Sequence, residues 1–188
     1  MRELALHILD IAENSISAGA SRIRIGVEEN LHTDRLKIAI EDKGKGMDAE
    51  TLAKVTDPFI TSRTTRKVGL GIPFFKAAAE SSEGHFKIQS QPGHGTTVTA
   101  EFKRSHIDRM PLGDLAGTLQ TLIIGTPDVH WIFDYRINDE IFEFDDEPIK
   151  EVLDGVPLSD PGVIRYIRDT LRTGIDELRQ SADVPTNH

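Results

Sequence analysis

EDKGKGMD, residues 41–48, follows the alternating run RLKIAI at 35–40 and sets one aspartate ahead of two glycines separated by a single residue. Alternation of Leu36, Ile38 and Ile40 marks a half-buried strand, so Asp42 stands at a strand end. Gly44 and Gly46 let the chain turn tightly and let a flat ligand approach the backbone. The Asp42 carboxylate accepts hydrogen bonds, and an exocyclic amine is one donor that suits it.

The neighbouring segments build a frame around that strand end. Residues 3–18, ELALHILDIAENSISA, repeat Leu4, Ile8, Ile11, Ala12 and Ser15 at helical spacing, and Gly19 stands where a helix stops. SRIRIGVEE alternates Ile23, Ile25 and Val27, and NLHTD turns it into the Leu36–Ile40 strand. Asp48 is an N-cap for a short helix over DAETLAKV. After the aperiodic loop TDPFITSRTTRKVGLG, IPFFKAAAESSEG reads as a helix that must begin near Gly71, because Pro73 is tolerated only in a first turn. HFKIQSQPGHGTTVTAEFK is a hairpin about Pro92–Gly95. The order α, β, β, α, α, β, β predicts an α+β fold: a two-layer α/β sandwich, with helices on one face of a mixed sheet.

Residues 1–104 form the expected main domain and 105–188 a small α/β extension, with a helix in MPLGDLAGTLQTLIIG, two strands about Asn138-Asp139, and a last helix on Val163, Ile164, Ile167, Leu171, Ile175 and Leu178. Charge divides at the same place: 15 Lys and Arg against 14 Asp and Glu up to Arg104, and 7 against 17 beyond it. An acidic extension repels phosphate backbones, so nucleic acid is not an expected partner, whereas a basic protein is conceivable. The apolar runs are too short to span a bilayer, and Glu3, Asp10 and Glu13 interrupt the pattern of a signal peptide, so the expected location is cytoplasmic with no membrane partner. The absence of cysteine excludes disulfides, thiol catalysis and cysteine-ligated zinc. Homo-oligomerisation is left open.

Two further features carry chemistry. VGLGI opens a helix, where unpaired N–H groups and the helix dipole favour phosphate oxygens. Asp10 and Asn14, four apart on the first helix, share a face, and the Asn14 amide oxygen suits a hard cation such as Mg²⁺. Each glycine motif alone describes a turn; the ordered set says more.

DIAENSISAGAS, EDKGKGM, DPFITSRTTRKVGLGI and GHGTT resemble, in order, the N, G1, F, G2 and G3 boxes of the GHKL ATPase superfamily of gyrase B, heat-shock-ninety chaperones, histidine kinases and MutL-type proteins. The resemblance covers residues 3–103 and implies a Bergerat fold with ATP between the first helix and a lid. It implies that Asn14 holds Mg²⁺, that Asp42 reads the adenine amine in a pocket shaped by Gly44 and Gly46, and that Met47 packs on the base. Phe59 would anchor the lid; Gly69, Leu70 and Gly71 would meet the phosphates; Thr96, beside Gly95, would support Asp42 through water. Arg63, Arg66 and Lys67 lie in the lid, where cations screen phosphate charge.

Asp10 is the candidate catalytic residue, standing where hydrolysing relatives carry glutamate, and its shorter arm puts its reach to water in question. Lys67 replaces a glycine of the kinase-type pattern. None of the seven histidines sits in an H-E-x-[RK] phosphoacceptor context, and no dimerisation helix pair precedes the domain. The expectation is therefore a stand-alone protein kinase that passes the γ-phosphate of Mg-ATP to a separate protein, as anti-sigma kinases do. The alternatives are an ATP-dependent binding or sensor module and a slow ATPase.

Overall fold

The computed structural model describes residues 3–56 and 70–183. Its elements run α1 (Leu4–Ser17), β1 (Arg22–Asn30), β2 (Arg35–Asp42), α2 (Ala49–Val55), α3 (Gly71–Glu80), β3 (His85–Gln91), β4 (Gly95–Lys103), α4 (Leu115–Gly125), β5 (His130–Ile137), β6 (Glu140–Asp145), α5 (Glu147–Val152) and α6 (Pro161–Asp183). The fold is the expected α+β class, with an open mixed sheet.

Among the described residues the strands make one six-stranded sheet in the order β3-β4-β2-β1-β5-β6. Every ladder is antiparallel except β1 with β5, where Ile23 stands opposite Trp131 and Val27 opposite Tyr135. Parallel pairing needs a long crossover, and α4 supplies it. Both sides of residue 104 therefore contribute strands to one sheet.

Alternation decides which face is covered. Ile23, Ile25 and Val27 of β1, Leu36, Ile38 and Ile40 of β2, and Trp131, Phe133 and Tyr135 of β5 are all buried. Against this face lie α1, α3 and α6, with α4 packed on α1 and α6. Each large apolar side chain sequestered there contributes about 1.5–3 kcal/mol. The opposite face keeps Arg24, Lys37, Glu41 and Arg136 in water.

A buried polar network joins the two halves. Glu29 on β1 is 8% exposed; its Oε1 accepts from the Tyr135 hydroxyl at 2.5 Å and its Oε2 from Arg104 Nε at 2.5 Å. The start of α1 is tied in as well, the amides of Leu4 and Ala5 donating to the carbonyls of Pro111 and Leu112.

Helix boundaries follow local chemistry. Asp48 caps α2, its Oδ1 accepting from the Thr51 amide at 2.8 Å. The helix expected from Met110 begins only at Leu115, because Gly113 sits at φ +78° and Asp114 caps the first turn through the Gly117 amide. α5 carries no sequence signal strong enough to predict it: it is six residues long and buries none of them.

Candidate functional site

The C-terminal end of β2 is the point of convergence. Asp42 is 8% exposed. Its Oδ1 accepts from the amides of Gly44 at 2.9 Å and Thr96 at 3.2 Å, and its Oδ2 accepts from the Ser15 hydroxyl at 2.7 Å. The carboxylate thus draws together the first helix, the turn after β2 and the start of β4, and Oδ2 keeps capacity for a further donor. Thr96 reaches Asp42 directly through its backbone; its hydroxyl is instead 2.9 Å from Ser90 Oγ.

Two glycines are required by space as well as by conformation. Gly46 is at φ +68°, and a Cβ there would stand 2.0 Å from the Gln91 carbonyl oxygen; Gly95 is at φ +90°, and a Cβ there would stand 1.9 Å from the Asp42 carbonyl oxygen. The turn after β2 is therefore pressed onto the β3–β4 hairpin. Gly93 donates its amide to the Lys45 carbonyl at 2.8 Å, and Met47 donates its amide to Ser90 Oγ at 2.8 Å, leaving the half-buried Met47 side chain packed against the core. At Gly44 the neighbours are Ala18 of the α1 terminus and Asp42 itself.

α1 forms the wall. Asp10 and Asn14 are half-buried rather than fully solvated. Burial raises the Asp10 carboxyl above its ordinary value. Gly71 abuts Asp10, since a Cβ on it would lie 2.9 Å from Asp10 Cβ. The start of α3, whose N-cap Leu70 gives no side-chain cap, thereby comes beside the acid. One turn on, Asn14 Nδ2 is buried without a hydrogen-bond partner, an orphaned polar atom on the wall between Asp10 and Ser15. His7, a turn before Asp10, is 1% exposed and stacks on Phe75 at 5.5 Å, and burial lowers its pKa to about 4.

The structure brings together Asp10, Asn14, Asp42, Gly44, Gly46, Met47, Leu70, Gly71, Gly95 and Thr96 along α1 and the strand ends. Phe59, Arg63, Arg66, Lys67 and Gly69 lie outside the described residues. Ser15 and Ser90 were not singled out by sequence reasoning. Ser15 carried a signal, a hydroxyl within an otherwise apolar stripe of a helix; Ser90 carried none.

Residues 2–106, more than half of the chain, match the family model described as histidine kinase-, DNA gyrase B- and HSP90-like ATPase. The chain belongs to this ATPase family. It is 38% identical over 92 residues to the sensor protein kinase FleS of Pseudomonas aeruginosa, covering 49% of this chain and 23% of that one. It is 32% identical over 100 residues to the signal transduction histidine-protein kinase AtoS of Escherichia coli, covering 52% and 16%. The chain thus spans a quarter or less of the length of these relatives. Among solved structures, the N-terminal domain of a DNA repair protein superposes with a TM-score of 0.56 at 13% identity, covering 77% of this chain and 52% of that one. The Aquifex aeolicus MutL ATPase domain complexed with ADP superposes with a TM-score of 0.50 at 12% identity, covering 82% and 68%. The two structures share the fold. No described helix is long and apolar enough to cross a membrane.

Proposed function

We propose that this ATPase-family chain binds Mg-ATP along α1 and passes the γ-phosphate to a separate protein. In this reading the adenine amine donates to Asp42 Oδ2, Met47 lies against the base, and the phosphates run along α1 to the start of α3. From Asp10 to Ala18 the helix rises about 12 Å, room for a nucleotide to lie lengthwise. Leu70 and Gly71 present backbone amides to the phosphates, as an uncapped helix start does, and Gly69 is proposed to take part with them. The lid residues Phe59, Arg63, Arg66 and Lys67 are proposed to close over them.

The observation that carries the site is the Asp42 carboxylate. It is buried and fixed by three donors, yet Oδ2 retains capacity for one more. Asn14, half-buried on the wall beside it, is the residue proposed to hold Mg²⁺, through its amide oxygen. Bound there, the ion would neutralise phosphate charge. Asp10, with its carboxyl raised by burial, is placed to take a proton from an acceptor hydroxyl or imidazole.

In this reading the phosphoacceptor is not a buried histidine of the domain itself. Of the six that are described, only His7 lies on a helix, and it is 1% exposed. A protein-kinase reading also accords with FleS and AtoS, both described as protein kinases. A second reading, in which ATP is sensed without chemistry, is favoured by the short arm of Asp10.

Incubation with γ-labelled Mg-ATP and a lysate of the parent cell tests the choice. Label on a protein band is the expected result. Label in free phosphate alone would make the chain an ATPase, and label remaining on tightly bound ATP would make it a sensor.

A further inference from the structure

Far along the sheet from β2 lies α5. A six-residue helix is well below the length at which helices persist in water alone, and α5 is held by the partly buried Ile149 against the core and by Lys150, with none of its residues fully buried. Its residues are nonetheless largely apolar on one side. Pro148, Ile149, Val152 and Leu153 line a groove whose other wall is Val163 and Tyr166 at the start of α6. Val152 is 79% exposed and Tyr166 58%. Exposed apolar surface of this kind, contiguous and rimmed by charge, marks an interaction site more often than scattered single residues do.

The shape selects the occupant. Ile149 and Val152, three apart on α5, make a short ridge, and Tyr166 on α6 stands opposite with the buried Val163 at its base, so the groove runs between the two helices. A third amphipathic helix fits between them by laying its apolar stripe into the groove.

The charge selects it further. Residues 139–169 hold ten Asp and Glu against three Lys and Arg. Two of the three bases are already engaged, Lys150 by Asp146 at 2.7 Å and the Val129 carbonyl at 2.6 Å, and Arg168 by Asp169 at 3.1 Å. Glu147, Glu151 and Asp154 stay exposed on the rim. A second copy of the chain would bring the same acids against themselves, which like-charge repulsion disfavours. A segment flanked by Lys or Arg meets the rim with opposite charge.

We infer that the α5–α6 groove docks an amphipathic, Lys/Arg-flanked helix of another protein. The inference does not depend on whether ATP is transferred, hydrolysed or sensed at the distant site.

The test places a photoreactive residue, p-benzoylphenylalanine, at Val152 or at Tyr166 of the full chain expressed in its parent cell, with Ile107, 95% exposed and outside the groove, as the control position. The expected result is one cross-linked segment common to Val152 and Tyr166, absent from Ile107, with net positive charge and apolar residues three and four apart. Made as a synthetic peptide, that segment should bind the chain, lose at least tenfold in affinity to the Val152→Asp, Tyr166→Asp double variant, and weaken as salt rises, while the variant keeps its circular dichroism. Absence of a groove-specific cross-link, cross-linking to a second copy of the chain, or a cross-linked segment that is acidic or lacks the apolar spacing would overturn the inference.

Discussion

The Ser15 hydroxyl donates to Asp42 Oδ2 at 2.7 Å, joining α1 to the end of β2 across 27 residues of sequence. A buried carboxylate deprived of one donor carries a desolvation cost of about 1–3 kcal/mol. Ser15→Ala is therefore expected to destabilise the fold by about 1–2 kcal/mol, the better helix propensity of alanine offsetting part of the loss. Its ATP affinity should fall as well, because the freed carboxylate is no longer held in one orientation. Urea unfolding and nucleotide titration of the same variant check both.

Three glycines separate crowding from strain. Gly46 and Gly95 combine positive φ with backbone oxygens about 2 Å from any added Cβ, whereas Gly93, at φ +76°, has nothing within 4 Å. Gly93→Ala should cost about 1 kcal/mol, the conformational penalty alone. Gly46→Ala and Gly95→Ala should cost well over that, and a chemical-denaturation series on the three variants measures the difference.

His7 makes stability depend on pH. Its folded pKa, about 4, lies below the ordinary value of 6.5, so the unfolded chain binds the extra proton first as pH falls. The contribution is fully present above pH 6.5 and is lost progressively as pH falls towards 4, by up to about 3 kcal/mol. Comparing urea midpoints at pH 5 and pH 7.5 should show a drop in the native chain that His7→Leu largely removes.

The Glu29 network predicts that the two halves unfold together. Tyr135→Phe leaves Glu29 with one donor fewer and should lower stability by about 1–2 kcal/mol without splitting the transition. Two separated transitions in calorimetry would contradict the single sheet as the cooperative unit.

The strands, the Asp48 cap, the Gly71 helix start and the hairpin about Gly93–Gly95 were legible because each has a local signature of alternation, capping or turn residues. The β1–β5 pairing was not, since parallel strands leave no turn between them, and nothing local in HWIFDYRI names Ile23 and Ile25 as its neighbours. Asp42, Gly44 and Gly46 stood out by spacing alone. Ser15 carried one signal, its hydroxyl within an apolar stripe, but a small side chain at such a position reads equally as packing; Ser90 carried none, because one hydroxyl in an alternating strand has no distinguishing pattern. That Asp10 and Asn14 are half-buried could not be read from spacing, which gives a shared helix face but not what covers it.

Calorimetric titration of the native chain and Asp42→Asn with ATP and with GTP shows whether Asp42 reads an adenine amine. Asparagine keeps the shape but replaces a carboxylate oxygen by an amide, removing a charge-assisted acceptor worth about 2–3 kcal/mol. If Asp42 does read the amine, ATP should lose roughly 30- to 150-fold with GTP little changed or improved, so that the preference between the two collapses. An equal loss for both nucleotides, with the fold intact by circular dichroism, would contradict it.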